Sequence, residues 1–199
     1  MHHNARRSHT GDTVKLKEAL EGKLTKKELS LLKSSYDVIG SIAIIEVPEE
    51  LLKKEKVIAD TLMSIQKNVK TVLKKAGIHE GEFRTQKLRY ISGKKTKETE
   101  VKENNVRLKL NVEKVYFSPR LSTERKRITG MVKDGESVLV MFSGCAPYVC
   151  VIGKNTGAKE VYGVEINPEG HVYAAENLKL NKINNAELYE GDAGKVVQS

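Results

Sequence analysis

Cysteine is scarce in this chain. Only Cys145 and Cys150 occur in 199 residues, with no Cys-x-x-Cys pair and no histidine-rich spacing. That excludes a disulfide framework, gives no zinc pattern, and fits two small apolar residues in a reduced compartment. Long apolar runs are also missing: none approaches the roughly 18 residues of a membrane helix. The opening "MHHNARRSHTGDT" lacks the apolar centre of a secretion signal, so residues 1–30 read as a partly disordered or helical lead. A soluble, cytoplasmic protein without metal is expected, and a monomer. Residues 31–117 contain no internal repeat.

Charge is present in abundance, and unevenly. Residues 1–128 carry 29 Lys and Arg against 17 Asp and Glu, whereas residues 129–199 carry 6 against 9. A basic front joined to a mildly acidic back suggests a polyanion-facing part beside a part with another task, although a solvated lysine-rich face would look the same. The hydrophobic share of 39% is enough for a real core.

The grammar of the chain changes near residue 118. Leucines at 16, 20, 24, 29, 31 and 32 favour helix over residues 14–33, with a break at 22–25. "DVIGSIAIIEVP" reads as a strand, and Pro48 opens a helix over "PEELLKKEKVIADTLMSIQ". "VKTVLKKAG" reads as a strand, and "KLRYISG", "KETEVKEN" and "VRLKLNVEKVYFS" alternate like antiparallel strands with one wet face. There Val106, Leu108, Leu110 and Val112 share one side, while Arg107, Lys109 and Asn111 share the other. A smaller α+β domain over 31–117 is therefore expected. Beyond it, strands at 137–142, 160–165 and 186–190 alternate with helices at 147–154 and 168–179, which predicts a parallel α/β sheet over 118–199. Three strands make about half of a doubly wound domain.

Ligands of open α/β sheets lie at the carboxyl ends of the strands. Three features fall there. The first is the turn Phe142-Ser143-Gly144-Cys145-Ala146-Pro147, where Gly144 admits a close ligand and a helix begins. Glu165 ends the second strand, placed to accept from ribose hydroxyls. Asp192 closes the third, placed to meet an adenine amino group. Acids at strand ends also act as helix caps, and Glu165 before Asn167-Pro168 fits that description too. A single glycine where a dinucleotide fingerprint has three disfavours NAD. The set fits an adenosine ligand without pyrophosphate, S-adenosylmethionine.

"VYFSPRLSTERKRI", "VLVMFSGCAPY", "VYGVEINPEGHVYAAENLKLNKI" and "LYEGD" resemble the archaeal and eukaryotic tRNA (guanine-37-N1)-methyltransferase family. "YDVIGSIAIIEVPEEL", "VKTVLKKAG" and "EGEFRTQKLRYISG" resemble the domain that precedes its catalytic fold, which implies that the α+β domain over 31–117 contacts tRNA. The resemblance runs from about residue 31 to 192. It implies a partial class I, Rossmann-like methyltransferase sheet, with tRNA as partner and S-adenosylmethionine as cofactor bound by Phe142, Gly144, Pro147, Glu165, Ile166 and Asp192. The implied reaction is methyl transfer to N1 of the guanine 3′ of the anticodon.

That chemistry needs a base for the N1 proton and a cation for charge growing on O6. Arg120, in the Ser-Pro-Arg turn, matches the family motif for the cation. Glu124 lies nearby in sequence, but the base is not assigned. Arg125 and Arg127 are expected to contact RNA phosphate or to form helix-surface charge. Tyr116 and Phe117 either stack on a base or pack inside, and Asn177 and Asn181 cap and brace a helix end.

Ala146 departs from the family's Gly-x-Gly-Pro loop. The family's next strand and its target-base motif have no counterpart after Ser199, so a fragment or a truncated, inactive product is expected. The wyosine-pathway aminocarboxypropyltransferase shares these motifs and is the alternative enzyme. A non-catalytic RNA-binding fragment is the alternative from another class.

Overall fold

The computed structural model describes residues 16–33, 35–77, 81 and 83–196. The chain divides into two compact units, one of Met1–Gly77 with Leu88–Thr96 and one of Ile78–Lys87 with Lys97–Ser199.

The first unit begins earlier than its sequence suggests. Residues 1–15 of the expected lead lie outside the described residues, but 16–20 are helical, and α1 (Lys26–Leu31) follows. Thr25 caps α1 through a reciprocal box with Glu28, the Thr25 hydroxyl accepting from the Glu28 amide and the Glu28 carboxylate from the Thr25 amide. Leu16, Leu20, Leu24 and Leu32 are all buried in the unit's core. The boundary at residue 30 is corrected accordingly: these leucines cost too much to leave in water and so belong to the fold.

The sheet of this unit runs β1 (Asp37–Ile39), β2 (Ile42–Ile45), β3 (Thr71–Lys75) and β4 (Leu88–Gly93) in spatial order. The stretch "DVIGSIAIIEVP" is thus a hairpin of two strands, with Gly40 at φ 57° in its turn. β2 is buried at every position, as its place between β1 and the parallel β3 requires. A 3₁₀ turn (Glu49–Lys54) and α2 (Glu55–Ile65) make the crossover, presenting Leu51, Ile58, Ala59 and Leu62 to the core.

In the second unit, β5 (Glu98–Glu103) and β6 (Val106–Asn111) form a hairpin whose turn residues, Asn104 and Asn105, both have positive φ (42° and 64°). Val106, Leu108 and Leu110 are buried, and Val112 only partly. The cationic face is neutralised: Arg107 pairs with Glu100 and Lys109 with Glu176. A 3₁₀ turn (Pro119–Leu121) and α3 (Ser122–Thr129) lead into β7 (Ser137–Met141), α4 (Pro147–Asn155), β8 (Glu160–Glu165), α5 (Pro168–Asn181), β9 (Ala186–Glu190) and α6 (Ala193–Val196). The sheet is parallel in the order β7-β8-β9.

One expectation changes here. The division falls at 96/97 rather than 117/118, because the hairpin belongs to the parallel-sheet unit. Tyr173, Asn177 and Asn181, spaced four apart along α5, bind it: Tyr173 donates to Glu98, and the two amides bond the β6 backbone at Lys109 and Arg107. In addition, β7 is half-buried on one face, at Val138 and Val140, and exposed on the other. Leu139 and Met141 are 44% and 53% exposed, and β7 is an edge of the sheet.

Acid should weaken the first unit through Glu46. Hydrogen bonds from Lys33 and Lys75 hold its carboxyl down at about 2 against an ordinary 4.5. The pair's contribution is complete above pH 4.5 and vanishes as pH falls toward 2. Urea titrations across that window should show a shallower acid-side loss for Glu46→Gln; parallel curves would deny the pair its role.

Candidate functional site

The cleft of the second unit begins where β7 ends. Ser143 still donates its amide to Val164 (2.8 Å), continuing the β7–β8 pairing by one step. The chain then turns through left-handed conformations at Phe142, Gly144 and Ala146, with φ of 58°, 57° and 62°. A side chain at Gly144 would meet only the Tyr116 carbonyl, 3.6 Å from an added Cβ, so the space above this turn is open. Ala146 occupies the N-cap of α4 with no side-chain acceptor, and Pro147 follows at the first helical position. The amide groups of that first turn are thus left to other partners.

Glu165 ties the turn to the next strand. One carboxylate oxygen accepts from the Gly144 amide (2.6 Å) and the other from the Asn167 amide (2.8 Å). Gly170, in the first turn of α5, packs against it closely: an added Cβ would lie 3.1 Å from the Glu165 Cγ. The cap of α5 is Asn167, whose side-chain oxygen accepts from Glu169 while its nitrogen donates to Lys114. Each Glu165 oxygen keeps a second lone pair, so bracing the loop leaves acceptor capacity for a ligand.

Behind the loop sits Asn177, fully buried. Its nitrogen donates to the Cys145 carbonyl (2.9 Å) and to Lys109 (3.0 Å), and its oxygen accepts from the Lys109 amide (2.7 Å). Sequence reading expected Asn177 and Asn181 to cap and brace a helix end; Asn181 is the last residue of α5, and both amides fasten α5 to β6, Asn177 also to the loop. Both cysteines are free thiols and buried. Burial pushes the Cys145 thiol up to about 12 and raises that of Cys150 as well.

The opposite wall is built around Arg125. This residue is 1% exposed, and its guanidinium forms a two-pronged pair with Glu103 (2.5 and 2.7 Å), donates to the Ser118 carbonyl, and lies over the rings of Phe117 (5.1 Å) and Tyr148 (5.8 Å). Arg125 therefore holds the Phe117–Ser118 segment rather than presenting charge to solvent, and the phosphate contact expected of it has no route. Phe117 packs inside, while Tyr116 stands half-exposed at the rim. Arg127 is exposed and pairs with Glu124 (2.7 Å). That hydrogen bond lowers the Glu124 pKa, making it a weaker base.

Of the expected cofactor residues, Phe142, Gly144, Pro147, Glu165 and Ile166 line one cleft of about 510 Å³, within the usual range for small-molecule sites. Ser143, Tyr148 and Asn167 join them, with Phe83 and Arg84 from the β3–β4 connection. Tyr148 and Asn167 are each adjacent in sequence to a helix-opening proline, which was the signal available for them. Asp192, Arg120 and Arg127 are not among the lining residues. Asp192 is exposed and accepts from the Lys195 amide at the start of α6, while its neighbour Gly191 donates to the Glu165 carbonyl. Arg120 is exposed in the 3₁₀ turn that follows Ser118. Among the described residues no cluster of metal ligands occurs, and no helix is long and apolar enough to cross a membrane.

A parallel sheet carrying a left-handed loop and an acidic strand tip around one cleft defines a class I methyltransferase fold. Residues 99–199 match the TRM5/TYW2 methyltransferase domain, and residues 16–96 match the TYW2 N-terminal domain. The chain belongs to the TRM5/TYW2 methyltransferase family. It is 46% identical over 165 residues (83% of this chain, 49% of the relative) to the tRNA (guanine(37)-N(1))-methyltransferase Trm5b of Pyrococcus abyssi. Identity is 44% over 150 residues (75% and 49%) to the tRNA (guanine(37)-N(1))/4-demethylwyosine(37)-methyltransferase Taw22 of Nanoarchaeum equitans.

Among solved structures, the complex of aTrm5 with tRNALeu superposes with a TM-score of 0.78 at 32% identity, covering 88% of this chain and 53% of the other. Methanocaldococcus jannaschii Trm5 in complex with adenosine gives 0.73 at 30% identity, covering 88% and 51%. The chain thus spans about half the length of the curated relatives it matches.

Removing Arg125 should be costly. Arg125→Ala leaves Glu103 buried without a partner, at about 3–5 kcal/mol of stability. Arg125→Met combined with Glu103→Leu should recover most of that loss in chemical denaturation. Equal losses for the single and double variants would contradict the pairing.

Proposed function

We propose that this chain carries the S-adenosylmethionine site of an enzyme that methylates N1 of guanosine 37 in tRNA. The observation that carries this reading is the Glu165 carboxylate at the β8 tip, braced against the Gly144 amide inside the cleft. The relatives' names and the adenosine complex of one structural neighbour support the same choice.

The residues fit the cofactor. The free lone pairs of Glu165 receive the ribose hydroxyls, and the turn at Phe142–Ala146 lets backbone approach the ligand without a Cβ at Gly144 in the way. Pro147 and Ile166 supply apolar walls. Asp192, two residues beyond the β8–β9 pairing, meets the adenine amino group by exchanging its Lys195 amide partner for it. When bound, S-adenosylmethionine supplies an electrophilic methyl group on a sulfonium.

Arg120 faces the base and stabilises the negative charge that grows on O6 as a general base takes the N1 proton and the freed lone pair receives the methyl group. Arg127, exposed at the surface of α3, exchanges its Glu124 partner for RNA phosphate. Location in the cytoplasm follows from a tRNA substrate. A second reading, aminocarboxypropyl transfer in the wyosine pathway, is favoured by the match of residues 16–96 to the TYW2 N-terminal domain. The product distinguishes the two.

Mass spectrometry of unmodified tRNA incubated with the chain and S-adenosylmethionine should yield 1-methylguanosine. An aminocarboxypropyl adduct would support the second reading, and calorimetry without cofactor binding would leave an RNA-binding piece alone. Glu165→Ala should lower cofactor affinity by at least tenfold, as expected for losing a charged acceptor worth about 1.5–3 kcal/mol. Arg120→Ala should spare that affinity and reduce turnover by about 10²-fold. Cofactor affinity unchanged in Glu165→Ala would remove the ribose assignment.

A further inference from the structure

The cations of the first unit are treated differently at the two ends of its sheet. Where β2 ends and β4 begins, they are neutralised. Lys33 and Lys75 share Glu46 (2.6 and 2.8 Å), and Lys74 and Arg89 share Glu55 (2.8 and 2.6 Å). At the other end, where β2 and β3 begin and β4 finishes, four lysines gather. The Lys70 amide donates to Ser41 (2.8 Å), the Lys94 amide donates to the Lys70 carbonyl (2.8 Å), and the Lys70 ammonium donates to the Lys67 carbonyl (3.0 Å).

Gly93 makes the approach possible. At φ 90° it lies so close to the Lys70 carbonyl that an added Cβ would fall 2.2 Å from that oxygen. Lys67, Lys70, Lys94 and Lys95 are all exposed, and none takes part in an ion pair among the described residues.

The carboxylate recorded at that end, Asp60, accepts from Ser92 and pairs with Lys56 rather than with any of the four, so their mutual repulsion is not offset by an ion pair among the described residues. Such a cluster fits an anionic partner. None of the exposed large hydrophobic residues lies in the segments 66–70 or 93–96. A membrane-inserting surface or a protein interface would need such anchors. A backbone of regularly spaced phosphates needs only the charge.

We propose that Lys67, Lys70, Lys94 and Lys95 form a docking surface for the phosphate backbone of RNA. The inference rests on the tRNA reading for the kind of RNA, and is independent of the cofactor assignment. Each lysine that neutralises a phosphate releases condensed counterion, so log K falls with log salt by about 0.9 per phosphate on duplex and about 0.7 on single strand.

The test uses the full chain and an unmodified tRNA transcript, with affinity followed by fluorescence anisotropy over a salt series. The variant Lys67→Ala/Lys70→Ala/Lys94→Ala/Lys95→Ala should bind at least tenfold more weakly at about 100 mM salt and lose about 3 from the salt slope. The control Lys33→Ala/Lys56→Ala/Arg89→Ala removes cations that are already paired and should change the slope by less than 1 in the same series.

A cluster variant with the parental slope, or equal losses in cluster and control, overturns the proposal. So does equal affinity of the parent for phosphatidylserine vesicles or polyglutamate, which would mark a general polyanion surface. The milder Lys94→Gln/Lys95→Gln should lose roughly half of the slope change, and circular dichroism of each variant verifies the fold. Failure of S-adenosylmethionine to bind the parent would remove the cofactor reading and leave this slope difference standing.

Discussion

One buried carboxamide organises the methyltransferase unit. Asn177 projects from the middle of α5 and satisfies three backbone groups at once: both sides of the Lys109 peptide pair on β6, and the Cys145 carbonyl of the cleft loop. An amide side chain is the right tool, because it offers donors and an acceptor in one plane and carries no charge that burial would penalise. Asn181 repeats the motif one turn later against Arg107. β6 is a hairpin edge whose polar groups would otherwise need water or another strand. The helix fills that place, and in doing so fixes the height of the loop from which the cleft is made. Glu165 completes the frame from the other side, drawing the Gly144 amide toward β8.

The wall opposite is organised by charge. Arg125 and Glu103 bury an ion pair between two aromatic rings, an arrangement that costs desolvation and is retained only with good geometry and additional hydrogen bonds. Its two-pronged contact and the bond to Ser118 meet that condition. The effect is to hold Ser118, at the start of the Ser118-Pro119-Arg120 turn, by a buried residue of the cleft wall. Positive charge in this chain therefore has two distinct roles. One part is consumed internally, at Arg125, Lys74 and Lys75, and another part is left facing solvent.

Much of this was legible in the residues. The β8 and β9 limits coincide with those read from apolar runs, and the prolines at 48, 119, 147 and 168 each stand at a helix start, because a missing amide is harmless there. The Phe142–Pro147 turn and Glu165 meet in one cleft, as ligand sites at strand ends do. What remained hidden depends on partners distant in sequence. "STERKRI" reads as a charged surface helix, and only Glu103, 22 residues earlier, turns Arg125 inward. The domain boundary was placed 21 residues late because alternation identifies a hairpin but not the sheet or helix it joins; that was decided by amides 68 to 74 residues downstream. Asp192 fits two descriptions in sequence, and here its carboxylate caps α6.

The central claim is that hairpin, helix and cleft loop form one mechanical unit through Asn177. Native-state hydrogen exchange on Asn177→Ala, read at the Lys109 and Gly144 amides and paired with calorimetry of S-adenosylmethionine, tests it most directly. The account predicts that both amides lose protection together and that cofactor affinity falls. Loss at Lys109 alone, with Gly144 protection and affinity intact, would contradict it.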